Sequence, residues 1–231
     1  MAPTQDDLKR AAALRAVAFV SSGTVIGLGT GSTVRYLLDA VAERIASGAL
    51  TGILAVPTSE DTAARCRALG IPLTTLDEHP RIALVIDGAD EIGPGLDLIK
   101  GMGGALLREK LVVCAAQRFV VIADASKRVR RLGTRAPVPV EVVPFGWNVH
   151  LPFFVKLGAQ PVLRCAPDRR PFVTDEGHYL VDCRFPRGIA DPRALARALR
   201  GRSGIVEHGL FLGMARTAVI AGERGVRVID R

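Results

Sequence analysis

The sequence predicts an α/β protein in which a doubly wound, mostly parallel sheet is joined to a smaller α+β domain. Two observations indicate this fold. Short apolar segments alternate with helical periodicity from the N-terminus to Lys127, and a turn-rich sequence punctuated by proline follows Gly133. Alternating strands and helices at this spacing are typical of βαβ units, which build parallel sheets. The chain has 231 residues, 48% of them hydrophobic, which is enough for a sizeable core.

The predicted sheet domain begins with a helix. Residues 6–20 place Leu8 and Leu14 on one helical face, with Asp6 and Asp7 in the first turn, where acidic residues are favourable. The elements predicted next are a strand at 24–28, a helix at 34–46, a strand at 52–56, a helix ending near Leu69 before Gly70, and a short strand at 71–76.

Residues 82–86 (Ile-Ala-Leu-Val-Ile) are the clearest strand, because five apolar residues follow one another. A helix over 105–116 and a buried strand over 119–123 continue the alternation. At the C-terminal end, 217–220 and 225–229 have the composition of strands and are predicted to return to the first sheet.

The smaller domain is predicted over residues 134–208, and the sheet domain over 1–133 plus 209–231. Short strands are expected at 172–173 and 179–183. A helix ending at Leu199 follows, because Asp191 is a favoured N-cap and Pro192 suits the first helical position.

Composition excludes several functional classes. The formal net charge of +8 favours anionic ligands, but only 5% of the residues are aromatic, which argues against a nucleic-acid surface. No signal peptide or membrane span is predicted. The four cysteines lack CxxC spacing and the four histidines lack metal-ligand spacing, so we expect reduced thiols, a cytoplasmic location and no metal.

Charged residues and glycines cluster directly after the predicted strand at 82–86. The cluster comprises Asp87-Gly88-Ala89-Asp90-Glu91, Lys100-Gly101-Met102-Gly103-Gly104-Ala105 and Arg108-Glu109-Lys110. Ligands of open α/β sheets bind beyond the carboxyl ends of the strands, so this segment predicts a ligand site. The alternative is that Asp87 and Asp90 only cap a turn, and that Glu109 and Lys110 belong to a solvated helix surface.

A second glycine-rich segment, Gly27-Leu28-Gly29-Thr30-Gly31-Ser32, lies between a predicted strand and a predicted helix. It does not fit a dinucleotide-binding fingerprint, because Ser32 replaces the third glycine and Pro57-Thr58-Ser59 stands where an acidic residue is needed. It fits an anion site at a helix N-terminus, or alternatively an ordinary turn capped by Ser32.

Taken in order, these motifs resemble ribose-5-phosphate isomerase type A. Further similar segments are Pro57-Thr58-Ser59, Ala123-Asp124-Ala125-Ser126-Lys127, Pro139-Val140-Glu141-Val142-Val143-Pro144 and Gly209-Leu210-Phe211. The resemblance implies a Rossmann-like domain with a smaller α+β domain, a homodimer or homotetramer, a small sugar phosphate as substrate, and no metal or organic cofactor. It does not imply nucleic-acid or membrane binding.

The resemblance also implies roles for individual residues. Glu109 is the catalytic base that moves a proton between C2 and C1 through an enediolate, and Lys100 stabilises the oxyanion. Asp87 and Asp90 hold sugar hydroxyls or assist ring opening, and how they divide these roles is open. The implied substrate-binding residues are Thr30, Gly31, Ser32, Thr33, Asp87, Gly88, Ala89, Asp90, Lys100, Gly101, Met102, Gly103 and Lys127.

Two points stay open. We place the substrate phosphate on residues 30–33, with Lys127 and the basic residues beside it as the alternative. Met102 stands where the family usually has glycine, and methionine would be strained there if the position required a positive φ.

Two other functions compete with this interpretation. One is a related amino-sugar phosphate isomerase or deaminase. The other is a sugar-phosphate sensor that binds DNA, which is disfavoured because the residues before position 24 are too few for a helix-turn-helix domain.

Overall fold

The computed structural model describes residues 3–231, which divide into two compact units. Unit 1 contains the described residues up to Ala89, Arg108–Lys127 and Gly213–Arg231. Unit 2 contains Asp90–Leu107 and Arg128–Leu212.

Six α-helices and thirteen strands make up the described chain. The helices are α1 (Gln5–Ala16), α2 (Ser32–Ala46), α3 (Glu60–Ala68), α4 (Leu106–Ala115), α5 (Leu151–Lys156) and α6 (Pro192–Arg200). The strands are β1 (Val25–Leu28), β2 (Leu54–Pro57), β3 (Ile82–Gly88), β4 (Glu91–Ile92), β5 (Leu98–Ile99), β6 (Ala116–Asp124), β7 (Val138–Val142), β8 (Gln160–Leu163), β9 (Tyr179–Arg184), β10 (Ile205–His208), β11 (Leu210–Phe211), β12 (Thr217–Gly222) and β13 (Gly225–Asp230).

Unit 1 is built on one six-stranded sheet in the order β13-β12-β6-β3-β1-β2. Every neighbouring pair is parallel except β12–β13, which forms an antiparallel edge. Strand β3 lies inside the sheet, and its four successive residues 84–87 are all buried. The predicted doubly wound sheet is therefore confirmed, and the last two strands return to it as expected.

The first helix of unit 1 begins where its polar sequence predicts. Thr4 caps α1, its side chain accepts from the Asp7 amide, and the Asp7 carboxylate accepts from the Thr4 amide. This reciprocal pair satisfies two amide groups that the helix leaves without partners. The predicted helix over 6–20 ends as a short 3₁₀ turn at Val17–Phe19.

Unit 2 contains a four-stranded antiparallel sheet in the order β10-β7-β9-β8 and a three-stranded sheet in the order β11-β5-β4. Side chains alternate between the two faces of a strand. Val138, Val140 and Val142 of β7 therefore enter the apolar core of this unit. Pro139 and Glu141 lie on the other face, opposite Asp182 and Leu180 of β9.

The compact units differ from the predicted domains in three segments. Residues 90–107, 128–133 and 209–212 were assigned to the sheet domain from sequence but belong to unit 2. The reason is local pairing: β4 pairs with β5, and β5 pairs with β11.

Several small elements also differ. The predicted strand at 71–76 is reduced to a single bridge between Ala55 and Leu73, and 172–173 contributes only a bridge between Val173 and Tyr179. Elements that the sequence analysis did not anticipate are β4, β5, β7, β8, β10, β11 and α5.

Candidate active site

Asp87 anchors the carboxyl end of β3 to the β1–α2 connection of unit 1. Its side chain is fully buried, and its Oδ1 accepts from the amide N–H of Thr30 at 3.1 Å and of Gly88 at 2.6 Å. Asp87 belongs to the strand itself, whereas the sequence analysis placed it in the following turn. Two charge-assisted hydrogen bonds fix the carboxylate in one orientation.

Gly29 is required by the position of Asp87. A Cβ on Gly29 would lie 2.0 Å from Asp87 Oδ1 and 2.1 Å from Asp87 Cγ. No side chain fits at that distance, so glycine allows the carboxylate to pack against the backbone.

The residues 30–33 form a turn that leads into α2, and we call them the 30–33 turn. Gly31 occupies the N-cap position with φ of 115°, and no side chain caps the helix there. The alternative of a turn capped by Ser32 is therefore wrong, since Ser32 is the first helical residue. Uncapped amide groups at a helix N-terminus favour an anion.

Four hydroxyl groups meet behind this turn. Thr30 Oγ1 lies 2.8 Å from Thr58 Oγ1, 2.9 Å from Ser59 Oγ and 3.3 Å from Thr62 Oγ1. Thr62 Oγ1 also donates to the carbonyl of Gly29 at 2.8 Å. Thr58, Ser59 and Thr62 are buried, so the hydroxyls satisfy one another and hold Thr30 against the start of α3.

Glu109 and Lys110 lie in the first turns of α4, and both are buried, Glu109 with 3% of its surface exposed. The alternative of a solvated helix surface is therefore wrong for this pair. Arg108 donates from Nη1 to Glu60 Oε1 at 2.7 Å, and this hydrogen bond lowers the pKa of Glu60. The neighbouring guanidinium is thus engaged by a carboxylate other than Glu109.

Lys127 is half-buried in a short 3₁₀ turn that follows β6. Burial raises the pKa of the preceding Asp124, but hydrogen bonds from Ser126 and Gln5 and the charge of Lys127 outweigh it, so the pKa is lowered overall. Asp124 Oδ1 accepts from the Ser126 amide at 2.9 Å. The carboxylate therefore stays ionised and fixes the turn that carries Lys127.

In unit 2, Lys100, Gly101, Met102 and Gly103 form a segment that we call the 100–103 loop. The positive φ values fall at Gly101 (102°) and at Gly104 (87°), whereas the described residues other than glycine with positive φ are Leu96 and Arg169. Met102 therefore does not have a positive φ and is not strained, although it stands where the family usually has glycine. Its amide donates to Asp90 Oδ2 at 3.0 Å.

Lys100 is buried, with 2% of its surface exposed. Its amide donates to the carbonyl of Gly209 at 2.9 Å, and its Nζ lies 5.6 Å from the centre of the Phe211 ring. The aromatic ring attracts an ammonium over its face, and this attraction replaces part of the stabilisation that water gives an exposed ammonium.

Arg164 of unit 2, which the sequence analysis did not single out, contacts the 100–103 loop and is itself bonded by Asp182. Arg164 donates from Nη1 to the carbonyls of Gly101 and Met102, at 3.0 and 3.1 Å. Asp182 in turn accepts from Arg164 Nε and Nη2.

Glu91 has a different environment from the other acids of its motif. It is fully buried in unit 2, where its carboxylate accepts from the amides of Gly133 (2.6 Å), Arg135 (2.5 Å) and Ala136 (2.8 Å). A carboxylate with three backbone donors serves to hold the 133–136 segment.

The predicted site residues fall in both units. Those in unit 1 are Thr30, Gly31, Ser32, Thr33, Asp87, Gly88, Ala89, Glu109 and Lys127, and those in unit 2 are Asp90, Lys100, Gly101, Met102 and Gly103. Over residues 3–231, no group of three or more His, Cys, Asp or Glu is arranged to hold a metal ion. In the same range, no helix is long and apolar enough to cross a membrane. Buried carboxylates and an ammonium can support proton transfer and stabilisation of an oxyanion.

Comparisons with known proteins agree with this chemistry. Residues 54–225 match the family model described as ribose 5-phosphate isomerase A (phosphoriboisomerase A). The chain is 57% identical over 218 residues to ribose-5-phosphate isomerase A of Roseiflexus castenholzii, covering 94% of this chain and 93% of that one. It is 55% identical over 225 residues to the Synechococcus protein of that name, covering 97% of each.

Solved structures give the same result. A D-ribose-5-phosphate isomerase in complex with phospho-erythronic acid superposes with a TM-score of 0.96 at 34% identity, covering 99% of this chain and 100% of that one. Ribose 5-phosphate isomerase from Plasmodium falciparum gives a TM-score of 0.95 at 39% identity, covering 98% and 99%. The chain belongs to the ribose 5-phosphate isomerase A family.

Proposed function

We propose that this chain interconverts D-ribose 5-phosphate and D-ribulose 5-phosphate, the aldose–ketose isomerisation of the non-oxidative pentose phosphate pathway. The observation that carries the proposal is that a chain of this family keeps a carboxylate, Glu109, and an ammonium, Lys100, both buried. The two alternatives, an amino-sugar phosphate isomerase or deaminase and a DNA-binding sensor, are not favoured by similarity over nearly the whole length.

Glu109 is the proposed general base. It removes the proton from C2 of the open-chain aldose, which gives an enediolate, and it returns the proton to C1 to give the ketose. A positioned base of this kind contributes about 10²–10⁴-fold to the rate. Burial on a helix supports this role, because it restricts the carboxylate to few orientations.

Lys100 is the proposed partner of the developing negative charge on oxygen. A preorganised donor of this kind is worth roughly 3–4 kcal/mol in the transition state. Burial supports the role, since a charge interaction is stronger where water is excluded. The backbone bond to Gly209 fixes the start of the side chain.

Asp87 and Asp90 are the proposed ligands of the sugar hydroxyls, and they could also assist ring opening or carry a proton between O1 and O2. Asp87 is oriented by the amides of Thr30 and Gly88, and Asp90 by the amide of Met102. Fixed carboxylates bind hydroxyl groups at a low entropic cost.

The 30–33 turn is the proposed phosphate site. An N-cap glycine without a capping side chain supports this assignment, together with the hydroxyls of Ser32 and Thr33 in the first turn of α2. Lys127 is the alternative cation for the phosphate. The resemblance further supports a cytoplasmic enzyme that assembles as a homodimer or homotetramer.

The proposal is tested by incubating the purified protein with ribose 5-phosphate and following ribulose 5-phosphate, with Glu109→Gln alongside. We expect turnover by the unmodified chain and a loss of at least about 10²-fold in kcat for the variant, because the amide cannot accept the proton. Glu43→Gln is the matched control, since Glu43 is exposed on α2.

Two results would contradict the proposal. Turnover that survives Glu109→Gln would move the base elsewhere, with Asp87 the next candidate. Ligand binding without turnover in the unmodified chain would make the protein a sensor or an enzyme for another sugar phosphate.

A further inference from the structure

We propose that Arg164, held by Asp182, is a positioning residue that fixes the 100–103 loop for the isomerisation. The inference rests on the proposed function, because that function gives the loop its role. Neither residue belongs to the predicted substrate-binding set, and all of the contacts that carry the inference lie within unit 2.

One edge of the guanidinium is occupied by Asp182. Arg164 Nε donates to Asp182 Oδ2 at 2.9 Å, and Nη2 donates to Oδ1 at 2.5 Å. This bidentate pair defines the plane of the guanidinium as well as its position. The Arg164 side chain is 12% exposed, so water competes little for these bonds.

The remaining donors point to the 100–103 loop. Nη1 bonds the carbonyls of Gly101 and Met102, and Nη2 lies 3.8 Å from Met102 Sδ. These two carbonyls belong to the two residues that directly follow Lys100 in the chain. Arg164 therefore fixes two successive peptide planes that follow Lys100, the residue that carries the proposed catalytic ammonium.

The same peptide segment is held from the other side. The Met102 amide donates to Asp90, so Arg164 holds the carbonyls of this segment while Asp90 accepts from its N–H. Gly101 needs this restraint, because its φ of 102° lies in a region that a glycine can leave easily. Arg164 thus keeps Lys100 and Asp90 in a fixed relation.

Arg164 is itself anchored in the sheet. Its amide donates to the carbonyl of Leu180 at 2.8 Å, and its carbonyl accepts from the Phe172 amide at 2.9 Å. The Phe172 ring lies beneath the guanidinium, 5.9 Å from Cζ to the ring centre. A Cβ on Gly104 would lie 2.5 Å from the same ring, so the ring also packs against the residue that follows the loop.

Lysine cannot replace arginine in this arrangement. A single ammonium on a flexible stem cannot hold a carboxylate in two places and also reach two carbonyls. The Arg164→Lys variant therefore keeps the positive charge but loses the planar hydrogen-bonding geometry. Its effect thus distinguishes a positioning role of Arg164 from a purely electrostatic one.

The test compares wild type, Arg164→Lys and Asp182→Asn in kcat, in KM for ribose 5-phosphate and in hydrogen exchange of the Met102 amide. We expect Arg164→Lys to lower kcat by about 10²-fold with a smaller change in KM, since a small misplacement of catalytic groups costs about that much. The Met102 amide should exchange faster. Asp182→Asn should shift kcat and exchange in the same direction by less, because the guanidinium remains.

Arg170→Lys is the matched control. Arg170 also faces an aspartate, Asp168, but at 3.7 Å and with 86% of its side chain exposed. We expect its kcat and amide exchange to equal those of the wild type.

The outcomes are separable from those of the Glu109 experiment. Unchanged kcat and unchanged Met102 exchange in Arg164→Lys would overturn the proposal. If circular dichroism shows that Arg164→Lys does not fold, the kcat and Met102 amide exchange of Asp182→Asn test the proposal instead. If the wild type shows no turnover the proposed function fails, and exchange at Met102 still reports whether Arg164 fixes the loop.

Discussion

The 30–33 turn of unit 1 and the 100–103 loop of unit 2 both contain glycine, yet different backbone groups hold them. An acceptor holds the turn, because Asp87 accepts from the amide of Thr30. The loop is held by a donor as well as an acceptor, because Arg164 donates to two of its carbonyls and Asp90 accepts from the Met102 amide. A flexible segment can thus be fixed from either end of the peptide dipole, and the choice decides which backbone groups a ligand can use.

The surroundings of the two segments differ as well. Behind the 30–33 turn lie uncharged hydroxyls, those of Thr58, Ser59 and Thr62. Such hydrogen bonds have a net worth of about 1 kcal/mol each. The 100–103 loop depends on an ion pair with a required geometry. We therefore expect the turn to respond most to steric change, and the loop to changes in backbone conformation and charge.

The largest effect is expected from Gly29→Ala. The new Cβ would overlap Asp87 Oδ1, so the carboxylate must leave the amide of Thr30. Overpacking of this kind costs about 1–3 kcal/mol in the free energy of unfolding. Displacing Asp87 should lower kcat/KM by about 10²-fold. Urea unfolding and steady-state kinetics measure the two effects.

Gly88→Ala is the control for the stability of Gly29→Ala. A Cβ on Gly88 meets nothing closer than 3.9 Å, so we expect a nearly unchanged free energy of unfolding. If Gly29→Ala is as stable as Gly88→Ala and as active as the wild type, the turn is not sterically fixed by Asp87.

A smaller effect is expected in the 100–103 loop, from the pair Gly101→Ala and Met102→Gly. Alanine at position 101 must adopt φ of 102°, with its Cβ 2.8 Å from that of Leu106, and strain of this kind costs about 1–3 kcal/mol. Glycine at position 102 relieves no strain and adds freedom to the unfolded chain, which costs roughly 0.5–1 kcal/mol.

Thermal unfolding and kcat/KM should therefore separate the two variants, with Gly101→Ala clearly impaired and Met102→Gly close to the wild type. A marked gain in stability for Met102→Gly would show that methionine is strained after all.

The smallest effect is expected from pH, and it should concern unit 2. Burial raises the pKa of Glu141, and hydrogen bonds from His178 and Thr174 offset this only in part. Above its ordinary pKa of 4.5 the carboxyl ionises first in the unfolded chain. Its contribution to stability is thus complete below that pH and is lost as pH rises through the raised pKa of the folded state.

Glu141→Gln does not titrate, so the free energy of unfolding of wild type minus variant should fall over this pH range. Each unit of difference in pKa corresponds to about 1.4 kcal/mol. Urea unfolding of both proteins at a series of pH values gives the difference. A difference that rises with pH would contradict the raised pKa.

Much of unit 1 could be predicted, because its strands and helices are long enough to show their period. The two-residue strands β4 and β5 show none, and only the pairing of β4 with β5 and of β5 with β11 defines them. This is why the sequence analysis placed residues 90–107 with the sheet domain, whereas they belong to unit 2.

The candidate site was predictable where its residues are neighbours in sequence. Arg164 was not, since it lies 62 residues after the carbonyl of Met102, among many other arginines. The hydroxyls of Thr58 and Ser59 were visible as a similar segment, but their contact with Thr30 arises only when β1 and β2 pair. The structural role of Glu91 could not be distinguished from the roles of Asp87 and Asp90 by sequence, because the three acids lie within five residues. Only their hydrogen-bond partners in the structure distinguish them.

The three hydrogen bonds that the Glu91 carboxylate accepts from backbone amides have a consequence for protein engineering. The segment from Asp87 to Glu91 cannot be grafted into another scaffold as an independent cassette, because its last carboxylate is matched to the backbone of residues 133–136. A recipient that lacks this loop would inherit an uncompensated buried charge, which costs several kcal/mol. A workable transplant must therefore carry both segments, which makes the 133–136 loop part of the portable unit although it contains none of the reacting groups.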